Sequence, residues 1–74
     1  MASDTRGVPV PGLAALRKQE GLSQKELAER SGVGKATISR LERGANARYD
    51  TIDKLAEALD TTRKRLIKRW PPRE

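Results

Sequence analysis

The sequence predicts an all-α fold of five short helices around one small core. The first observation is a capping-box pattern, in which Ser23 is followed three residues later by Glu26 at the start of a helix. The second is the length of 74 residues without a cysteine, which allows one domain and no disulfide. The third is an apolar repeat at i, i+3, i+4 and i+7, typical of one helix face, formed by Ile52, Leu55, Ala56 and Leu59.

The first helix is expected from Pro11 to Glu20, because a proline in the first turn loses no hydrogen bond. Gly21 fits the C′ position of a Schellman ending, and Leu22 behind it can make the accompanying apolar contact. A fourth helix is expected from Asp50 or Thr51 to about Leu59. A fifth is expected over residues 63–70, capped by Thr61 or Thr62 and ended by Pro71-Pro72.

Residues 23–44 predict two short helices joined by a tight turn. Gly32 in the turn can adopt a positive φ at little cost. Helical spacing resumes over residues 35–43 and ends at Gly44, a suitable C′ residue. A helix, a short glycine-containing turn and a second helix make the helix-turn-helix motif, whose second helix can enter the major groove of DNA.

At this motif the chain resembles the DNA-binding domains of the phage-repressor and Cro family (XRE-like) of bacterial and phage regulators. The resemblance extends from about Leu13 to Leu66. It implies a lambda-repressor-like helix-turn-helix domain without a cofactor. The matching positions are Gln24, Leu27-Ala28, Gly32-Val33, Thr37-Ile38-Ser39 and Leu41-Glu42-Arg43-Gly44.

Composition excludes several other functions. The chain has no histidine and no cysteine, so zinc fingers and catalysis by histidine or a thiol are excluded, and no enzyme or metal site is expected. Tyr49 and Trp70 are the only aromatic residues, which disfavours single-strand binding by base stacking. A net charge of +6 favours a polyanionic partner. No apolar run reaches transmembrane length and no signal peptide is present, so a cytoplasmic protein is expected.

The outer face of the second motif helix is the candidate base-reading surface. With Ile38 pointing inward, the helical repeat turns Leu41 and Glu42 toward the core and Ala36 and Arg40 away from it. A solvated surface is the simpler interpretation, but small uncharged residues between basic ones favour close approach to base edges. The residues expected to read bases are Lys35, Ala36, Thr37, Ser39 and Arg40.

Phosphate contacts are implied mainly by the resemblance. The family uses the glutamine at Gln24 to contact a phosphate and to brace the recognition helix. In the family, the loop after the recognition helix touches the DNA backbone. In this sequence the loop offers Asn46 and Arg48 as donors, and Arg43 directly precedes it. The predicted phosphate contacts are therefore Gln24, Arg43, Asn46 and Arg48. Asn46 also suits a turn without any such function.

Arg17 lies at the edge of the apolar face of the first helix. Its side chain either lies in solvent with its stem over the core, or pairs with Glu42, as the corresponding residues do in the family. Since both partners are present, the pair is favoured.

Leu66, Ile67 and Trp70 form the apolar stripe of the fifth helix and are the candidate dimer interface. One recognition helix contacts few base pairs, so such motifs usually act as dimers. Alternatively, the three residues cap the monomer core.

The chain is expected to divide into a flexible N-terminal arm (residues 1–12), the DNA-binding domain (13–70) and a tail (71–74). The arm is either a disordered leader or reaches DNA through Arg6.

The function expected is sequence-specific binding of double-stranded DNA by a transcriptional regulator, a repressor acting as a homodimer on a pseudo-palindromic operator. Two alternatives use the same motif, an antitoxin with a toxin as its protein partner and a restriction-modification controller. A third is a protein-interaction module that does not bind DNA.

Overall fold

The structure of the chain, a computed structural model, describes residues 7–68. The predicted all-α architecture with five helices is confirmed, and a short strand pair is added to it. None of the helices in this described part is long and apolar enough to cross a membrane. In chain order the elements are β1 (Val8–Pro9), α1 (Leu13–Gln19), α2 (Gln24–Ser31), α3 (Lys35–Glu42), β2 (Asn46–Ala47), α4 (Tyr49–Ala58) and α5 (Arg63–Ile67).

Every helix contributes to one apolar core. Helices of 5 to 10 residues are too short to be stable alone in water, so packing must hold them. Fully burying a leucine or isoleucine stabilises the fold by about 1.5–3 kcal/mol. The fully buried large side chains are Val10, Leu13, Leu27, Ile38, Ile52, Leu55 and Leu66.

The predicted capping signals around the first motif helix are present. Gly21 has a φ of +72°, and the N–H of Leu22 donates to the carbonyl of Arg17 at 3.1 Å, which is the long bond of a Schellman motif. The capping box follows directly: the hydroxyl of Ser23 accepts from the N–H of Glu26 at 3.0 Å, and the carboxylate of Glu26 accepts from the N–H of Ser23 at 2.8 Å. These bonds fix the angle at which the chain enters α2.

Helices α1, α4 and α5 differ from the prediction at their ends. Helix α1 starts at Leu13 rather than Pro11, because Pro11 and Gly12 are the centre of a β-turn closed by the N–H of Leu13 on the carbonyl of Val10 at 3.0 Å. Helix α4 has Arg48, not Asp50 or Thr51, at its N-cap. Helix α5 has the predicted cap, Thr62, but already ends at Ile67. Trp70 lies outside the described residues.

The expected flexible arm is corrected for residues 7–12. Val8 pairs antiparallel with Ala47, and Pro9 with Asn46. Val10 is only 1% exposed. These residues therefore belong to the folded domain, while Arg6 and the residues before it lie outside the described part.

The prediction that Leu66 belongs to the dimer interface is also corrected. Its side chain is fully buried in the monomer core, and its carbonyl accepts from the N–H of Gly12 at 3.0 Å. A side chain without accessible surface cannot contact a second subunit. Of the predicted stripe, only Ile67 is described with part of its side chain accessible.

Candidate nucleic-acid interface

Helix α3 is held against the rest of the domain by its inner face. Ile38 is fully buried and Leu41 nearly so, as the helical repeat predicted. Gly32 ends α2 with a φ of +79°, and Gly34 precedes α3 in extended conformation. The turn between them buries Val33. Core packing therefore fixes the direction in which the opposite face of α3 points.

That opposite face is open to solvent. Lys35, Ala36 and Arg40 are exposed, and Thr37 and Ser39 are half-buried. The structure thus places all five predicted base-reading residues where they are accessible, with the small ones between the two long basic ones. The role of these residues in DNA binding stays a prediction.

The predicted ion pair between Arg17 and Glu42 is present and links α1 to α3. The Nε of Arg17 lies 2.6 Å from Oε2 of Glu42, and its Nη2 lies 3.0 Å from Oε1. The third nitrogen, Nη1, donates to the carbonyl of Leu22 at 2.8 Å. The two side chains are only 11% and 10% exposed. A buried guanidinium is tolerated when it is paired in this bidentate way.

Gln24 completes this group from α2. Its Nε2 donates to Oε1 of Glu42 at 2.9 Å, so one carboxylate joins three helices. Burial opposes ionisation of Glu42, but the hydrogen bonds from Arg17 and Gln24 and the positive charge of Arg17 outweigh it, and the pKa of Glu42 is lowered. The hydrogen bond to Glu42 likewise raises the pKa of Arg17. Gln24 therefore braces α3, as the resemblance implied.

The segment after α3 presents the other predicted phosphate donors. Arg43 follows the last turn of α3, Asn46 lies in β2, and Arg48 occupies the N-cap position of α4 without a capping bond from its side chain. All three side chains are exposed. Between Asn46 and Arg48, Ala47 is buried at 3% exposure, which anchors the loop to the core.

Residues 35–48 form a continuous basic segment, named here the basic ridge. Its exposed charges are Lys35, Arg40, Arg43 and Arg48. Its single acid, Glu42, is neutralised by its pair with Arg17. Helix α4 by contrast carries three acids and one lysine. The ridge is therefore a surface to which a polyanion would be drawn.

Helix α5 is a second basic region, and the contacts of its first residue were not predicted. The guanidinium of Arg63 makes two hydrogen bonds to Asp53, of 2.9 and 2.8 Å, and lies 4.9 Å from the ring centre of Tyr49. The only hint in the sequence was a group of basic residues following an acidic helix. Arg63 is thus paired within the protein, unlike Lys35 and Arg40 on the exposed face of α3.

Comparison with known proteins assigns the fold. A family model for helix-turn-helix domains, HTH_3, matches residues 13–66. The uncharacterized HTH-type transcriptional regulator y4dJ of Sinorhizobium fredii (strain NBRC 101917 / NGR234) is 37% identical over 65 residues, which cover 86% of this chain and 84% of that protein.

A solved structure leads to the same family. The crystal structure of an HTH_3 family transcriptional regulator from Vibrio cholerae matches with a TM-score of 0.71 and 34% identity, over 74% of this chain. The match spans 32% of that longer chain. The resemblance drawn from the motif residues is therefore confirmed, and the chain belongs to the HTH_3 family of helix-turn-helix transcriptional regulators.

Proposed function

We propose that this protein is a non-enzymatic regulator that binds a specific site on double-stranded DNA through the outer face of α3. The observation that carries the proposal is the basic ridge, whose one acid, Glu42, is paired with Arg17. A helix face that combines accessible methyl and hydroxyl groups with two long cations suits the edges of bases in the major groove.

In this proposal the side chains divide into two roles. Lys35 and Arg40, with the smaller residues between them, read bases. Gln24, Arg43, Asn46 and Arg48 hold the backbone and fix the register of the helix on the duplex. Arg40 is assigned to a guanine, because a bidentate contact of arginine with O6 and N7 is the commonest specific pairing.

The test is a selection of bound duplexes from random-sequence DNA, followed by competition between the selected duplex and a scrambled one. The selected duplex should win, and affinity for both should fall steeply with salt, because cations on the ridge displace counterions. Equal affinity for the two duplexes would reduce the protein to a non-specific binder. Weak, salt-insensitive binding would remove DNA as its partner.

We further propose that the protein binds as a homodimer on a pseudo-palindromic site. The support is the limited number of base pairs that one α3 can reach and the partly accessible side chain of Ile67 at the end of α5. Repulsion between two basic α5 helices makes this dimer weak in solution and tighter on DNA or at higher salt.

Sedimentation of the free protein and of its complex tests the dimer. Two protomers per selected duplex are expected, and Ile67→Ala and Trp70→Ala should each weaken that complex. A one-to-one complex on every selected duplex contradicts the dimer. If the complex is dimeric and neither change affects it, the interface is formed by other residues.

Repression is the regulatory outcome proposed, because an occupied operator blocks access to the DNA beneath it. A reporter gene placed behind the selected site should be expressed less when the protein is present. Higher expression would identify an activator without affecting the proposal on DNA binding.

A further inference from the structure

The N-terminal strap, defined as residues 7–12, joins two distant parts of the domain. At one end β1 pairs with β2, so that Val8 lies opposite Ala47. At the other end the N–H of Gly12 donates to the carbonyl of Leu66 in α5. The strap therefore runs from the loop that follows α3 to the last turn of α5.

The strap fits so closely that glycine is required at both ends. A Cβ atom on Gly7 would lie 2.8 Å from the carbonyl oxygen of Ala47, and one on Gly12 would lie 2.5 Å from that of Arg65. Both distances are far inside van der Waals contact, and both neighbours are backbone atoms that cannot rotate away. Val10 lies buried between these ends. Such packing is a built contact of the fold.

The strap pairs with the part of the basic ridge that lies outside the helices. Strand β2 lies between α3 and α4 and is only two residues long. Its Asn46 is exposed and its Ala47 is buried, and Arg48 follows at once. The pairing with β1 therefore fixes the backbone of Asn46 and of Ala47, the residue directly before Arg48.

We propose that the strap is a positioning element for DNA binding, which holds Asn46 and Arg48 in place for the phosphates before DNA arrives. This inference rests on the proposed function and adds to it a segment that does not itself read DNA. A loop that is already ordered avoids the entropy loss that a mobile loop would suffer on binding. Loosening the strap should therefore lower the affinity for DNA even under conditions where the domain stays fully folded.

The test uses Gly7→Ala in the full chain, because the added methyl group would meet the carbonyl of Ala47 and the Cβ of Asn46 and push β1 away from β2, while every charged side chain of the basic ridge stays in the protein. On a duplex selected with the wild-type protein, affinity should fall about three- to tenfold, the range expected for the ordering of one or two long side chains. The slope of log K against log salt should also fall by up to about one unit, as the contact of Arg48 is lost.

Glu57→Gly is the matched control. It places a glycine at an exposed position near the end of α4 and so weakens that helix, while the residues that anchor the two ends of the strap stay unchanged. Below its melting temperature it should bind with unchanged affinity and slope. If Gly7→Ala does not fold, Pro9→Gly replaces it, since this change loosens the strand without adding an atom, and a smaller loss in the same direction is expected.

A double-mutant cycle with Arg48→Ala makes the result decisive. If the strap acts through Arg48, that substitution should cost little affinity once Gly7→Ala is present. Two results would contradict the positioning role of the strap without affecting the proposed DNA binding. One is strictly additive losses in the cycle. The other is unchanged binding by Gly7→Ala when the wild type binds normally. A wild-type protein that binds no duplex would overturn the proposed function, and the positioning role with it.

Discussion

Gln24 and Glu42 are joined by a hydrogen bond of 2.9 Å, and this bond connects the first helix of the motif directly to the second. The same carboxylate binds Arg17 through both of its oxygens. The orientation of α3 therefore depends on one partly buried acid as well as on the apolar core.

Glu42→Ala should strongly destabilise the domain. It leaves the guanidinium of Arg17 without its charged partner in a site where little water reaches it, and breaking a buried pair from one side costs about 3–5 kcal/mol. Chemical denaturation measures this loss. The control is Glu29→Ala, an exposed position on α2, where a change within about 0.5 kcal/mol is expected. Equal, small effects of the two changes would contradict the buried pair.

Acid should destabilise the protein in part through Glu42. Its pKa is lowered from the ordinary value of 4.5, so its contribution is present above that value and is lost as the pH falls through the lowered pKa. The pKa values of Asp53 and Glu26 are lowered as well, by hydrogen bonds from Arg63 and Ser23. Stability should therefore decline steadily below the ordinary carboxyl range.

Glu42→Gln isolates the part that belongs to this residue. The variant should be less stable at neutral pH and should lose less stability on acidification, because its amide does not titrate. Urea unfolding at neutral pH and at a pH about one unit below the ordinary glutamate value measures both. Parallel pH profiles of the variant and the wild type would exclude Glu42 as a source of the acid sensitivity.

Arg40→Ala should lower affinity for the selected duplex by about 1–3 kcal/mol and relax the preference at one base position. Competition binding against single-base variants of the duplex measures both effects. Arg30→Ala is the matched control, since it removes the same charge from an exposed position on α2. If Arg40→Ala weakens binding to selected and random DNA alike, Arg40 contacts a phosphate instead of a base.

Ala36→Glu should abolish DNA binding without unfolding the protein. The position is exposed on the outer face of α3, so the longer, negatively charged side chain would meet the DNA and not the core. Gln19→Glu adds the same charge at the exposed end of α1 and should have little effect. Circular dichroism checks folding and a titration checks binding. Binding retained by Ala36→Glu would mean that this face does not approach DNA.

Arg48→Ala should lower affinity almost uniformly across DNA sequences and reduce the salt slope by about one unit. The same loss is expected for Arg43→Ala. Lys64→Ala, which removes an exposed charge from the other basic region, should leave the slope unchanged. A reduced slope for Lys64→Ala would extend the DNA contact to α5.

The end of α1 and the start of α2 were predictable because their signals are local. The capping box of Ser23 and the Schellman ending at Gly21 each involve residues within one or two turns of the chain. The outward orientation of Arg40 followed from the helical repeat alone once Ile38 was taken as buried. Residues that are close in sequence carry this information without knowledge of the rest of the fold.

The strap and the position of Leu66 could not be predicted in the same way. Strand β1 is two residues long and includes Pro9, so it has no alternating pattern to recognise, and it exists only because Ala47 lies beside it. In α5 the helical repeat placed Leu66, Ile67 and Trp70 on one stripe, but it could not decide whether that stripe faces the core or a second subunit. Both outcomes depend on tertiary contacts.

The anchoring of Gly7 against Ala47 has a practical consequence for handling the protein. An affinity tag, fluorophore or surface linker attached directly to Gly7 would begin close to the loop that carries Asn46 and Arg48. A bulky or acidic attachment there would compete for the space that the duplex is proposed to occupy. Labels for binding measurements therefore belong on the exposed side of α4, for example at Lys54.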